Sequence, residues 1–182
     1  TASQFIKDNK DRDNFFLWVD CFDPHEPWDS PPKYVKKYDS TPGYNGKIDP
    51  RAFRVRNNPE LSREARHRIQ AMYAAKVTFM DEWLGYFLDT LELTGLDENT
   101  AIVLTADHGT NVGDGGEGHP FGKYAPVAEN EAHVPLMISA PDLDSGTSEI
   151  LVQPQDIMAT LLQLVGVEVP SSKDSYDILS QD

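Results

Sequence analysis

Two short runs constrain the fold of this chain more than any other feature. Phe15-Phe16-Leu17-Trp18-Val19 and Ala101-Ile102-Val103-Leu104 are apolar without alternation. A strand with one face in water alternates; a strand apolar throughout is buried on both faces, as in a parallel sheet covered by helices. Neither run approaches the ~20 apolar residues of a membrane-spanning helix. Between them, Ile69, Met72, Tyr73, Val77, Met80, Leu84, Phe87, Leu88 and Leu91 recur at steps of three or four, the stripe of one long helix. Asn58-Pro59 or Ser62 would start it, and Gly95 would end it.

The remaining segments fit around these. Residues 2–10 read as the end of a helix, residues 14–22 and 100–106 as buried strands, and residues 134–139 as a third strand with Pro135 at its start or edge. A short strand is expected over 150–153 and a last helix over 156–165, stopped by Gly166. Residues 29–58, rich in Pro and Gly, read as a long irregular excursion, and 107–132 as a Gly-rich loop. The expected architecture is α/β: one partial domain over 1–182, with a mostly parallel sheet and helices on both faces. Ligands gather at the carboxyl ends of the strands in such sheets, where both long loops would lie.

Sixteen basic against thirty acidic residues leave a net charge of −14, which disfavours nucleic acid and anionic lipid as partners. The basic residues of 33–68 are mixed with Asp and Pro and read as solvated surface. Cys21 is the only cysteine, so no internal disulfide forms. The first residues carry neither an initiator Met nor an apolar leader, and the chain reads as part of something longer.

Three places carry candidate chemistry. Asp107-His108 offers an oxygen and an imidazole side by side where a strand turns into Gly109; an Asx-type turn with a solvated His is the plainer reading of the dipeptide alone. His25 sits in a loop stiffened by Pro24 and Pro27, and either donates to an anion, acts as a general acid, or decorates a surface loop closed by Trp28. Gly113, Gly115, Gly116, Gly118 and Gly122 crowd a window that holds His119 and ends in Lys123, the pattern of close backbone approach to a ligand. The spacing is not that of a P-loop. His67 and His133 read as structural.

Asp23-Pro24-His25-Glu26-Pro27-Trp28, Thr105-Ala106-Asp107-His108-Gly109, Gly122-Lys123 and Val134-Pro135-Leu136, in that order, resemble the sulfatase family of the alkaline phosphatase superfamily. The helix leading into Asp107-His108-Gly109, and the segment from Gln155-Asp156-Ile157 to Pro170, share the resemblance, which covers nearly the whole chain. It implies an alkaline phosphatase-like fold and a divalent cation, most often Ca²⁺. Asp107 and His108 match metal-ligand positions, with the imidazole standing where many relatives carry an amide. Lys123 matches the lysine that contacts the sulfate, and His25 the histidine that binds it and protonates the leaving oxygen.

The family's nucleophile is a Cys or Ser matured to formylglycine in a C/S-x-P/A-x-R motif. Cys21-Phe22-Asp23-Pro24-His25, Ser30-Pro31-Pro32-Lys33-Tyr34 and Ser40-Thr41-Pro42-Gly43-Tyr44 all fail to match it. The early acidic pair of the metal site is also missing. Gly113-Asp114-Gly115-Gly116 lacks a His that many relatives carry, and His119, the histidine nearby, is not assigned to that place. The resemblance therefore implies a carboxyl-proximal part of a sulfatase acting on a sulfated small molecule or carbohydrate, inactive as this chain alone. A phosphate or phosphonate ester hydrolase of the same superfamily, or a non-catalytic binding domain with this fold, is the alternative. The sequence assigns no compartment.

Overall fold

Ser62 starts the element around which the first half of the molecule is built. Its hydroxyl accepts the Ala65 N–H at 3.2 Å, and a helix runs unbroken over Arg63–Thr94. Glu64 in the first turn is held below its ordinary pKa by its own backbone N–H and by Ser62, as expected near the positive end of a helix. Gly95 closes the helix at φ 71°, a left-handed conformation that glycine adopts without Cβ strain, and donates its N–H to Glu92 O.

The computed structural model describes residues 1–39, 62–113, 121–123, 126–170 and 174–180. They form two compact units, Thr1–Leu96 with His108–Val134 and Asp97–Asp107 with Pro135–Asp182. In chain order the elements are α1 (Ala2–Asn9), α2 (Pro32–Tyr38), α3 (Arg63–Thr94), β1 (Ile102–Thr105), β2 (Asn111–Val112), β3 (Phe121–Gly122), α4 (Glu129–Ala132), β4 (Leu136–Ser139) and α5 (Pro154–Leu164). No helix among the described residues is long and apolar enough to cross a membrane.

In the first unit α1 and α2 pack on α3. Tyr34 and Val35 of α2 are buried against Ala75, Met72 and Phe79 of α3. Burying side chains of this size stabilises by about 1.5–3 kcal/mol each. The Tyr34 hydroxyl donates to Glu82 Oε2 at 2.8 Å, Tyr38 and Thr78 pair through their hydroxyls, and Arg68 Nη1 lies 3.1 Å from Asp39 Oδ2. A second cluster, Trp28, Ile69 and Phe121 with Met72, Tyr73 and Val112 around it, joins α3 to the antiparallel β2–β3 pair.

In the second unit β1 pairs antiparallel with β4, from Ile102↔Ser139 to Thr105↔Leu136. Gln153 and Asp156 form a reciprocal capping box at the start of α5. Asp156 is fully buried; its carboxylate accepts the Gln153 N–H at 2.8 Å and the Tyr176 N–H at 3.2 Å. Thr160, also buried, accepts the Ile178 N–H at 2.9 Å, so residues 176–178 are stitched to α5 through two side chains. Asp156→Ala strips two part-buried backbone donors of their acceptor, and chemical denaturation should show a loss of about 2–4 kcal/mol, less than the ~3–6 kcal/mol of two hydrogen bonds to a charged group wholly shielded from water. A loss under about 0.5 kcal/mol would show that water replaces the carboxylate at no cost.

Several sequence expectations are corrected. Residues 14–22 are not a strand: the segment has no regular secondary structure, and Phe16 and Trp18 are each 72% exposed. An apolar run becomes a buried strand only where neighbours pair with its backbone and cover both faces, and no described residue does so here. The expected parallel sheet is likewise not seen among the described residues, whose strand pairs are antiparallel. An apolar run encodes burial, whereas strand direction depends on the connections. Residues 150–153 form no strand and instead lead into α5. The irregular stretch 29–58 contains α2, whose Pro32 occupies the first helical position, where a missing N–H costs nothing. The Gly-rich loop 107–132 contains β2, β3 and α4. The strand at 134–139 starts after Pro135, at Leu136. Asn58-Pro59, Ser40-Thr41-Pro42-Gly43-Tyr44 and His119 lie outside the described residues.

Candidate active site

His25 sits in the turn that follows the exposed apolar segment. Its N–H donates to Phe22 O at 3.0 Å, and its ring lies 4.4 Å from that of Phe22. Nδ1 donates to Glu26 O at 2.7 Å, with the buried Glu26 carboxylate 3.4 Å away. A carbonyl only accepts, so the ring proton sits on Nδ1, and further exchange of a proton falls to Nε2. The Asp23–Pro24 and Glu26–Pro27 peptide bonds are both cis. Trp28 closes the turn: its indole N–H donates to Pro24 O at 2.8 Å, and its ring packs edge-on against Tyr73 at 5.3 Å.

Lys76 of α3 brackets the same turn, at 3.0 Å from Asp23 Oδ1 and 3.1 Å from Asp29 Oδ1. Burial, the largest influence on Lys76, pulls its pKa down, but the hydrogen bonds and charges of the two aspartates outweigh it and the net shift is upward. The hydrogen bond from Lys76 holds Asp29 below its ordinary value. Because Asp29 is depressed, its contribution is complete above ~4 and fades as pH falls through its folded value; because Lys76 is raised, its contribution is complete below ~10 and fades as pH rises through its folded value. The stability difference between wild type and Asp29→Asn should therefore be flat between about pH 5 and 9 and shrink on both sides. Urea midpoints measured across pH check this; a difference that persists at pH 3 would count against the pair.

Lys123 follows β3 directly, and Phe121 of β3 belongs to the cluster that contains Trp28. One patch of α3 around Ile69 thus anchors both the His25 turn and the Lys123 strand. Lys123 Nζ donates to His108 Nε2 at 3.1 Å, while His108 Nδ1 donates to Gly109 O at 2.8 Å. His108 is thereby the tautomer with its lone pair on Nε2. Both side chains are exposed. Asp107, also exposed, follows β1 and belongs to the second unit, whereas His108 belongs to the first.

The backbone around this pair is tied from three sides. Asn111 Nδ2 donates to Gly122 O at 3.1 Å and to Glu131 Oε1 at 2.5 Å, and the Gly109 N–H donates to Glu131 O at 2.9 Å. A Cβ on Gly109 would collide with the Asn130 carbonyl, so only glycine allows this approach. Gly113, at φ 67°, passes against the Arg66 guanidinium and the Phe121 ring. Arg66 Nη1 donates to Gly113 O at 3.1 Å and Gln70 Nε2 to Val112 O at 3.2 Å.

Of the residues singled out from sequence, the structure brings Lys123 and His108 into contact, and the turn that carries His25 is anchored through Trp28 on the cluster that contains Phe121. Among the described residues no group of three or more His, Cys, Asp or Glu is arranged to hold a metal ion. His67 is exposed on α3, and His133 is exposed and 3.3 Å from Glu129. Sequence reasoning passed over Arg66, Lys76, Asn111 and Glu131. The signal for Lys76 was present: it continues the spacing of Ile69 and Tyr73 on the buried face of α3, where a lysine needs counter-charges.

The sequence profile of the sulfatase family matches residues 1–167. An ulvan-active sulfatase of Formosa agariphila is 30% identical over 179 residues, covering 94% of this chain and 32% of that protein. The crystal structure of a Bacteroides fragilis protein described as a sulfatase superposes with a TM-score of 0.73 at 25% identity, over 97% of this chain and 38% of that one. A phosphonate monoester hydrolase of Silicibacter pomeroyi superposes with a TM-score of 0.55 at 27% identity, over 81% of this chain and 27% of that one. The chain spans about a third of the length of the curated relatives it matches. With its motifs in family order and the match running through nearly all of its length, the chain belongs to the sulfatase family of the alkaline phosphatase superfamily.

Proposed function

We propose that the protein to which this chain belongs hydrolyses a sulfate ester of a small molecule or carbohydrate, and that this chain supplies the leaving-group and anion-binding side of the site. The observation that supports it most is the pairing of Lys123 with His108 next to a cluster that also anchors the His25 turn. Lys123 offers a positive charge to the oxygens of the transferred group, where charge builds during bond breaking. His25, protonated on Nδ1 toward Glu26 O, would carry the transferable proton on Nε2 and deliver it to the departing oxygen. The nucleophile, a formylglycine in this reading, comes from a segment that is not part of this chain.

Asp107 and His108 would hold a divalent cation, most simply Ca²⁺. A carboxylate is a hard donor, and the His108 tautomer puts a lone pair on Nε2, which Lys123 Nζ occupies here and would exchange for the metal. When bound, the cation would withdraw charge from the substrate and the nucleophile. Two ligands are few for a hard cation, so this chain alone should bind Ca²⁺ weakly and turn over no aryl sulfate.

The test is steady-state hydrolysis by the intact enzyme of an aryl sulfate against an aryl phosphonate monoester. A kcat/KM favouring the sulfate supports the proposal. The reverse preference would establish the second reading, favoured by the likeness to a phosphonate monoester hydrolase. Hydrolysis of neither would leave the fold in a binding role.

A further inference from the structure

We infer that Lys76 is a positioning residue for His25, clamping both ends of the turn that carries it. The inference rests on the reading of His25 as the leaving-group acid. Asp23 and Asp29 flank His25 in sequence, two residues before it and four after, and both carboxylates converge on one ammonium. The Lys76 side chain is only 9% exposed and is rooted in α3, the longest helix described, above the Phe79 ring at 5.8 Å. An exposed ion pair would fix little. The Lys76–Asp23 arm is the shielded one, with side chains 9% and 29% exposed, and Asp29, 74% exposed, adds a second carboxylate to the same ammonium; one largely buried charge shared by both aspartates ties the two ends of the turn to α3. Trp28 fixes the interior of the turn through Pro24 O, and Lys76 fixes its span. A proton donor must lie within hydrogen-bond reach of the leaving oxygen, so a slackened turn loses rate without losing substrate affinity.

Three variants test this: Lys76→Met, Lys76→Arg and Asp29→Asn. Asp29 is largely exposed, so the last variant removes one anchor with little risk to folding. In the 182-residue chain, NMR of the His25 ring and the Trp28 indole N–H should show displaced or broadened signals in Lys76→Met and Asp29→Asn. Signals from Ile102 and Ile138 in the β1–β4 pair should stay in place, and Lys76→Arg should move toward wild type. His25 signals unchanged in both disruptive variants would overturn the clamp.

In the intact enzyme, Lys76→Met should lower kcat by about ten- to a hundredfold on an alkyl sulfate, the range expected for a misplaced catalytic group. KM should be nearly unchanged, and the loss on 4-nitrophenyl sulfate, whose leaving group needs no proton, should be about twofold or less. Equal losses on both esters would mean that Lys76 only supports the fold. His25→Ala serves as the control: without a leaving-group dependence of its own, the acid role of His25 fails, while the NMR result still decides the clamp.

Discussion

His25→Ala should lower the kcat of the intact enzyme by about 10²–10⁴-fold, the usual worth of a positioned general acid. Lys123→Ala should lower it by about 10²–10³-fold, as for loss of one donor that stabilises developing charge. The two differ in kind. The His25 loss should grow as the leaving group becomes more basic, since a poor leaving oxygen needs the proton most. The Lys123 loss should be similar across leaving groups, because its charge acts on oxygens common to every sulfate ester. His67→Ala, on the exposed face of α3, should stay within about twofold of wild type, since surface substitutions away from a site change little. Steady-state kinetics on a series of sulfate esters, with circular dichroism to confirm folding, separates these outcomes. A His67 variant as impaired as the His25 variant would refute the roles even with the family correct.

The second large effect concerns stability. Trp28→Ala should destabilise the first unit by about 3–5 kcal/mol, the range for truncating a buried aromatic. Trp28 is 2% exposed and packs with Ile69 and Phe121, so its loss leaves a cavity between α3, the His25 turn and β3. The Pro24 carbonyl also loses its indole donor. Trp28→Phe keeps most of the packing and drops only the hydrogen bond, and should cost about 1–2 kcal/mol. Urea denaturation followed by far-UV circular dichroism measures both. Near-equal losses in the two variants would place the energy in the hydrogen bond rather than the cluster.

The cluster also explains why residues far apart in sequence act on one site. Arg66, Gln70, Tyr73 and Lys76 step along one side of α3 at helical spacing. Arg66 and Gln70 hold the backbone of the glycine loop, while Tyr73 and Lys76 hold the His25 turn. A helix is a rigid ruler with a rise of ~1.5 Å per residue, so anchors on one helix keep a fixed spacing between the segments they grip.

Much of this was legible before the fold was known. The period of the stripe from Ile69 to Leu91 determined α3 and Gly95 its end, while of the two starts the sequence left open, Asn58-Pro59 and Ser62, the structure has Ser62; Asp156 to Gly166 determined most of α5, because helices are set by local spacing and by caps that act within one turn. The order of the motifs determined the family and, through it, the candidate residues His25, Asp107, His108 and Lys123. Tertiary structure decided the rest. Among the described residues it left 14–22 without strand partners and made the strand pairs antiparallel, because strands are completed by distant chain and not by their own sequence. It assigned the tautomer of His108 by bringing Lys123 against it. It also turned Lys76, one lysine among many in the sequence, into the counter-charge of two aspartates beside His25, because only packing decides which charges are kept from water.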